Sequence, residues 1–198
     1  MDVNTLKNEF IDELKNVHRE GMEKVISWLI DKTDFFTAPA STRFHGAYQG
    51  GLLMHSLNVY RVFKEINDKL NGLTPAIPKD SIVIAALLHD ICKVNTYKVV
   101  KRWRKDKENR WEQYDTYEFS EDEPLGHGEK SVMLLQRLGL QLTESEVYLI
   151  RWHMGGFDES KMALNSAMTI HPEIALMHMA DLIATYMLET KDNSEESL

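Results

Sequence analysis

The sequence predicts an all-α helical bundle with a β-hairpin insertion around 97–119, and three observations carry that expectation. Apolar residues recur at steps of three and four along most of the chain. The stretch IVIAALL (82–88) is apolar on every side, as the central helix of a bundle must be. From Tyr97 to Phe119 the helical period gives way to alternating aromatic and charged residues around KDKEN, the pattern of two paired strands and a turn.

Each element follows from its own spacing. Leu6, Phe10, Leu14 and Val17 share one face of a first helix, and Val25, Ile26, Leu29 and Ile30 one face of a second after Gly21. Residues 37–51 (TAPASTRFHGAYQGG) hold a proline and three glycines and predict a loop. A third helix carries Leu53, Leu57, Tyr60, Phe63, Ile66 and Leu70 until Asn71-Gly72 stops it. A fourth, capped by Asp80 or Ser81, runs through IVIAALLHDICK. After the hairpin come EKSVMLLQRLGL, ending near Gly139, and TESEVYLIRWHM, where Thr143 and Glu146 predict a capping box before Gly155-Gly156. A last helix starts at Pro172 and carries Ile174, Leu176, Met177, Leu182, Ile183 and Met187. One domain over 1–190 with a frayed tail at 191–198 is the expected organisation for 198 residues.

Composition narrows the function classes. A net charge of -8 disfavours general nucleic-acid binding, so any such contact must come from a local basic patch. No apolar run reaches the roughly 18 to 20 residues of a membrane span, and MDVNTLKNEF lacks the pattern of a secretory signal. With a single cysteine, Cys92, and no internal disulfide, the expectation is a cytoplasmic protein without membrane contact.

The chemistry starts at LLHDICK (87–93). His89 and Asp90 end a buried helix, where an unpaired imidazole or carboxylate is heavily penalised, so each needs a partner. A metal cation is one, favoured by the negative end of the helix dipole. The plainer alternative has His89 bonding a backbone carbonyl and Asp90 capping a neighbouring helix. The pair is not isolated: His55, His127 and His153 fall near helix ends, and Asp181 lies inside the last apolar helix. Convergence of these groups on one site explains all of them together. Such ligands suit manganese, iron, zinc or nickel, and the lack of cysteine ligands argues against a structural zinc.

The order His55, His89-Asp90, Asp181 resembles the HD-domain phosphohydrolase superfamily, all-helical enzymes whose histidines and aspartates bind divalent metal. The stretches PAS-x-x-FH-x-x-Y-x-GGLLMHS, LLHDICK, LGHGEKS, WHMGG and LMHMAD, from about Pro39 to Tyr186, resemble the HD domain of bacterial three-prime-to-five-prime exoribonucleases of the YhaM type. Departures are Cys92, where the family usually has glycine, Trp152 beside His153, where a second histidine is common, and no match to the family's nucleic-acid-binding barrel.

The resemblance implies His55, His89, Asp90 and Asp181 around one metal, with Asp90 bridging to a second held by His127 and His153. The two ions (manganese, iron, nickel, magnesium or zinc) would activate water for attack on phosphorus. Asp90 and Lys93 would then be catalytic, with Lys93 neutralising a phosphate oxygen unless it is merely a solvated helix-end charge. His178 would orient Asp181 or a water, or simply be a satisfied core histidine. Arg43 and His45 in the glycine-rich loop are candidate phosphate contacts, whereas His18 and His171 read as structural.

The hairpin sets Lys98, Lys101, Arg102, Arg104, Lys105, Lys107 and Arg110 among Trp103, Trp111, Tyr114 and Tyr117. Cations with aromatic platforms suit phosphate contact and base stacking, so Arg102 and Arg104 are substrate-binding candidates. A solvated hairpin, or an arm joining a homo-oligomer, is the alternative. The expected function is therefore metal-dependent hydrolysis of a phosphoester or phosphoanhydride in a nucleotide or short single-stranded nucleic acid. The rivals are a di-iron oxygenase with the same ligand types and a non-catalytic nucleotide- or nucleic-acid-binding module.

Overall fold

A computed structural model describes residues 2–120, 123–157 and 161–189, and is mostly α-helical with one two-stranded antiparallel hairpin. The expected fray at 191–198 lies outside the described residues. Helix α1 (Val3–Lys15) buries Leu6, Phe10, Ile11 and Leu14, and α2 (Met22–Asp31) buries Met22, Val25, Ile26 and Leu29. Ile30, expected on that face, instead points outward at 42% exposure. Helix α3 (Gly51–Lys69) follows the loop and stops just before Asn71-Gly72.

Helix α4 (Lys79–Leu88) is the centre of the molecule. All seven residues from Ile82 to Leu88 are buried among α1, α3 and α6. Each Val, Ile or Leu removed from water there contributes roughly 1.5–3 kcal/mol, which offsets the weak capping of the helix. Its start is Pro78, not Asp80 or Ser81, and no side chain caps it. Ser81 turns inward instead, its hydroxyl donating to Glu146 Oε1 at 2.8 Å.

The helix also ends earlier than LLHDICK suggested. It stops at Leu88, and Ile91–Lys93 form a short 3₁₀ turn. In such a turn residues three apart eclipse one another, so Lys93 stacks over Asp90.

Strands β1 (Tyr97–Lys105) and β2 (Trp111–Phe119) pair in register from Tyr97 opposite Phe119 to Lys105 opposite Trp111. Asp106 closes the turn, its carboxylate accepting from the Glu108 and Arg110 backbone N–H groups at 2.8 and 2.9 Å. Asn95 anchors the root: its N–H donates to Asp34 Oδ1 at 2.6 Å, while Asp34 N–H donates back to Asn95 Oδ1 at 3.1 Å.

Helix α5 (His127–Arg137) begins at His127 itself, two residues before the predicted stretch. Helix α6 (Glu144–Arg151) carries the expected capping box of Thr143 and Glu146. Helix α7 (Lys161–Ile170) has no counterpart in the sequence expectation. Only Ala167 on it is fully buried, with Leu164 and Met168 partly covered beside it and Met162 and Ile170 exposed, so its apolar stripe is short and weak. Helix α8 (Ile174–Ile183) starts after Pro172, which lies in the preceding turn, and opens into a π-helical turn at Ala184–Leu188.

The main core joins α1 to α6 with α8, and a smaller cluster of Trp152, Ala167 and Ile174 seats α7. Among the described residues no helix is long and apolar enough to cross a membrane.

Candidate metal centre

Five segments bring their polar side chains to one place: α3 supplies His55, the end of α4 His89 and Asp90, the start of α5 His127, the turn after α6 His153, and α8 Asp181. Close backbone approach at the second pair depends on Gly128. A Cβ there would stand 2.3 Å from the Arg151 carbonyl oxygen, so only glycine lets α5 press its first turn against the end of α6. Gly155 serves the same region, with a positive φ of 55° and the His178 ring packed where a side chain would be.

Asp90 is the hub. Its Oδ1 lies 3.2 Å from His127 Nε2 and 3.6 Å from His153 Nε2. Its Oδ2 lies 3.4 Å from His89 Nε2, 3.6 Å from His55 Nε2 and 2.7 Å from Lys93 Nζ. Asp181 Oδ1 closes the other side, 3.3 Å from His55 Nε2.

Backbone carbonyls set two of the imidazoles. His89 Nδ1–H donates to Ala86 O at 2.9 Å, and His153 Nδ1–H donates to Ile150 O at 2.7 Å. Each ring is thereby held in the tautomer that aims an Nε2 lone pair at the cluster. For His89 the plain reading, a backbone hydrogen bond, and the ligand reading are thus compatible. His55 is held by a carboxylate, with Glu189 Oε2 and Oε1 at 3.1 and 3.2 Å from Nδ1.

With both Nδ1 positions donating, the Nε2 atoms of His55 and His89 face each other at 3.3 Å. Two lone pairs at that distance repel, so a proton on His55 Nε2 or a metal ion must stand at this point. Asp90 Oδ1 and His153 Nε2, both buried, also lack hydrogen-bond partners. These orphaned atoms and a donor set of imidazoles, carboxylates and one thiol fit divalent cations. Among the described residues four groups of three donors could hold such ions: His45, His55 and Glu189; His55, His89 and Asp181; His89, Asp90 and His153; and Asp90, Cys92 and His127.

The electrostatics agree. Burial works against a charged His55, but Asp181 and Glu189 outweigh it and raise its pKa to about 10. Burial likewise opposes charge on His127, yet Asp90 and Cys92 raise it to about 10. Burial opposes ionisation of Asp90 and Asp181 as well. Lys93 and His89 keep the Asp90 carboxyl well below its usual range, and His55 does the same for Asp181. The carboxylates therefore call for positive charge at this point.

Of the cluster, His55, Asp90 and Asp181 open onto a cavity of about 470 Å³, which Arg43, His45, Lys93 and His178 also line. Burial, then the charges of His55 and Lys93, lowers the His45 pKa to about 4, so it faces the cavity as a neutral ring. His178 does not bond Asp181. Its Nδ1–H donates to the His153 carbonyl at 2.7 Å, so it braces the backbone that carries His153. Arg102 and Arg104 do not line this cavity. They lie on the projecting hairpin, where Arg104 pairs with Glu112 at 2.6 Å and stacks over Tyr114.

Sequence reasoning missed Glu189 and Cys92. Nothing near Glu189 marks it as special in the sequence, because a π turn brings it round to His55. The signal for Cys92 was its place two residues after Asp90. His18 and His171 stay outside the cluster; His171 stacks on Tyr148 and its Nδ1–H donates to Glu173 Oε1 at 3.1 Å.

Comparison with known proteins bears on this centre. A stretch of the chain is 29% identical over 89 residues to a 3'-5' exoribonuclease YhaM of Shouchella clausii, covering 44% of this chain and 26% of that protein. Another is 38% identical over 61 residues to a dihydroneopterin 2',3'-cyclic phosphate phosphodiesterase of Methanocaldococcus jannaschii, covering 30% of this chain and 24% of that protein. The matched stretches thus span about a quarter of each relative's length. No solved structure matches significantly. The family profile described as the HD domain matches residues 52–186, a span from α3 into the π turn after α8 that contains the whole His and Asp cluster, and the chain belongs to the HD-domain family.

Proposed function

We propose that this chain is a metal-dependent phosphohydrolase that uses water to cleave a phosphodiester or phosphoanhydride in a nucleotide or at the end of a short single-stranded nucleic acid. The observation that carries this reading is Asp90, whose two oxygens face two different groups of histidines on the floor of a cavity walled by cations. His55, His89, Asp90 and Asp181 would hold one divalent ion, and Asp90, His127 and His153 a second. Such ions, when bound, polarise phosphoryl oxygens and lower the pKa of water to near neutrality.

The chain's own residues do the rest. Burial opposes charge on Lys93, but Asp90 dominates and holds its pKa above the usual lysine range, so Lys93 is a fixed cation and not a base. It fixes the Asp90 carboxylate at 2.7 Å and presents positive charge to a phosphoryl oxygen entering the cavity. Arg43, over the Phe44 ring at 5.7 Å, offers a second phosphate contact at the mouth, with an aromatic face beside it. These cations support phosphate chemistry over the oxygenase alternative. The two relatives, an exoribonuclease and a cyclic phosphodiesterase by name, have phosphodiester cleavage in common, which supports a diester over a monoester.

The test is a screen of manganese-loaded protein against 2',3'-cyclic nucleotides and end-labelled oligonucleotides, with Asp90→Ala as control. Turnover by the wild type and its loss in the variant support the reading. A wild type that turns over no phosphate ester, while Asp90→Ala still binds nucleotides equally well, replaces it with a binding module.

A further inference from the structure

We infer that Cys92 is a thiolate ligand of the second metal ion, completing with Asp90, His127 and His153 a mixed oxygen, nitrogen and sulfur site. The inference rests on the two-ion reading above and adds to it the chemical identity of the cation.

Cys92 lies in the 3₁₀ turn, 4% exposed. A buried free cysteine is ordinarily a small apolar filler. This one has polar neighbours: its sulfur, an Asp90 carboxylate oxygen and a His127 ring nitrogen all lie within 4.8 Å of one another. Its backbone N–H donates to Ser131 Oγ at 3.3 Å, which ties the turn to the helix that carries His127.

The independent mark of a ligand is on the same side of the carboxylate. Asp90 Oδ1 and His153 Nε2, at 2% and 0% residue exposure, have no hydrogen-bond partner and stand 3.6 Å apart. Donors about 2.0 to 2.3 Å from one tetrahedral zinc-type ion stand roughly 3.3 to 3.8 Å apart, which the Asp90–His153 pair already matches. Asp90, Cys92 and His127 already form one such group within 4.8 Å, and His153 joins it through Asp90 Oδ1 as the donors draw in around the cation.

A thiolate in the set changes the preference of the site. Soft sulfur favours zinc, iron(II) or cobalt(II), while magnesium and manganese prefer oxygen. Coordination replaces the S–H bond by a sulfur–metal bond and releases one proton per chain to solvent, with no change of oxidation state.

Cobalt(II) tests this without any substrate. Metal-free protein is titrated with cobalt(II), bound ions are counted by elemental analysis, and the near-ultraviolet spectrum is followed for thiolate-to-cobalt charge transfer. The expected result is two ions per chain, with the charge-transfer band appearing as the second site fills. In Cys92→Ser the band should vanish and the second ion bind at least ~10-fold more weakly, the least that losing even a ligand's supporting partner costs. His127→Ala should lose the band together with one ion. Two bound ions with no band in the wild type overturn the cysteine ligand and leave the two-ion reading standing. No bound cobalt overturns both. The wild-type spectrum decides even if a variant fails to fold.

Discussion

The Glu189 carboxylate meets the His55 imidazole at Nδ1, 3.1 Å away, on the ring edge opposite Asp181 and Asp90. Asn58 Nδ2 donates to the same carboxylate at 3.0 Å and fixes its orientation. Eight residues of straight α-helix would leave Asp181 and Glu189 about 80° apart around the axis. The π turn at Ala184–Leu188 winds less per residue and brings both carboxylates to one histidine.

That relationship makes Glu189 a positioning residue for His55. Glu189→Ala should weaken binding of the first metal ion roughly 10- to 100-fold, as loss of a ligand's hydrogen-bond partner generally does. Glu189→Gln keeps an acceptor for Nδ1–H and should recover part of the loss. Calorimetric titration of both variants with manganese or zinc checks this, and equal affinity of Glu189→Ala and wild type would exclude the role.

The helices and most of the cluster were legible in the sequence because burial and spacing speak together there. Seven consecutive apolar residues ending in His-Asp could only be a central helix delivering polar groups to a site, and His55, His127, His153 and Asp181 each sat at a helix end or on an apolar face. What stayed hidden was geometry that side-chain pattern does not encode. The change from α to 3₁₀ after Leu88 sets Lys93 on Asp90, and the π turn sets Glu189 on His55. Helix α7 was missed because its burial rests on Ala167 and a small satellite cluster. The hairpin residues Arg102 and Arg104 were read toward the site from composition, but nothing in composition says where a ribbon points.

Gly128 tests whether the spacing of α5 and α6 controls the second ion. In Gly128→Ala the new methyl would stand 2.3 Å from the Arg151 carbonyl oxygen, and backbone cannot yield as a flexible side chain can. The helices must separate, moving His127 away from His153. Binding of one metal ion should weaken while the other is retained, and stability should fall by about 1–3 kcal/mol. Two ions bound with wild-type affinity would show that the close approach has no bearing on the centre.

Glu146 tests the scaffold apart from the metals. It is fully buried, accepts from Ser81 Oγ and from the Thr143 N–H at 2.8 Å each, and pairs with Arg19. One side chain thus ties α6 to the start of α4 and to the segment between α1 and α2. Glu146→Ala strands the Ser81 hydroxyl, opens the capping box and leaves the largely covered Arg19 with the Gln141 carbonyl but no carboxylate. Unfolding in urea should show a loss of about 3 kcal/mol. Ser81→Ala removes only one neutral hydrogen bond but leaves a buried carboxylate oxygen short of a donor, and should cost about 1–2 kcal/mol. A loss under 1 kcal/mol for Glu146→Ala would mean that water replaces these partners after all.

The hairpin makes its prediction through substrate length. It leaves the body three residues after Lys93, held by Ser120 N–H to Thr96 O at 2.8 Å and by Thr96 Oγ1 to Lys93 O at 2.6 Å. Trp103 and Trp111 are 60% and 65% exposed, on the face that Lys101 and Lys105 share by strand alternation. Under the proposed function such a face suits contacts to a longer single strand, and none of its residues lines the cavity at Asp90. Lys101→Ala combined with Trp103→Ala should therefore raise KM for an oligonucleotide by roughly 10-fold, since one lost base stack alone is worth about 1–3 kcal/mol. It should flatten the salt dependence of that KM by about one phosphate contact and leave the kinetics of a cyclic mononucleotide unchanged. Equal loss on both substrates would mean that the hairpin supports the fold of the centre, and no loss on either would leave it outside catalysis, as an arm for other contacts.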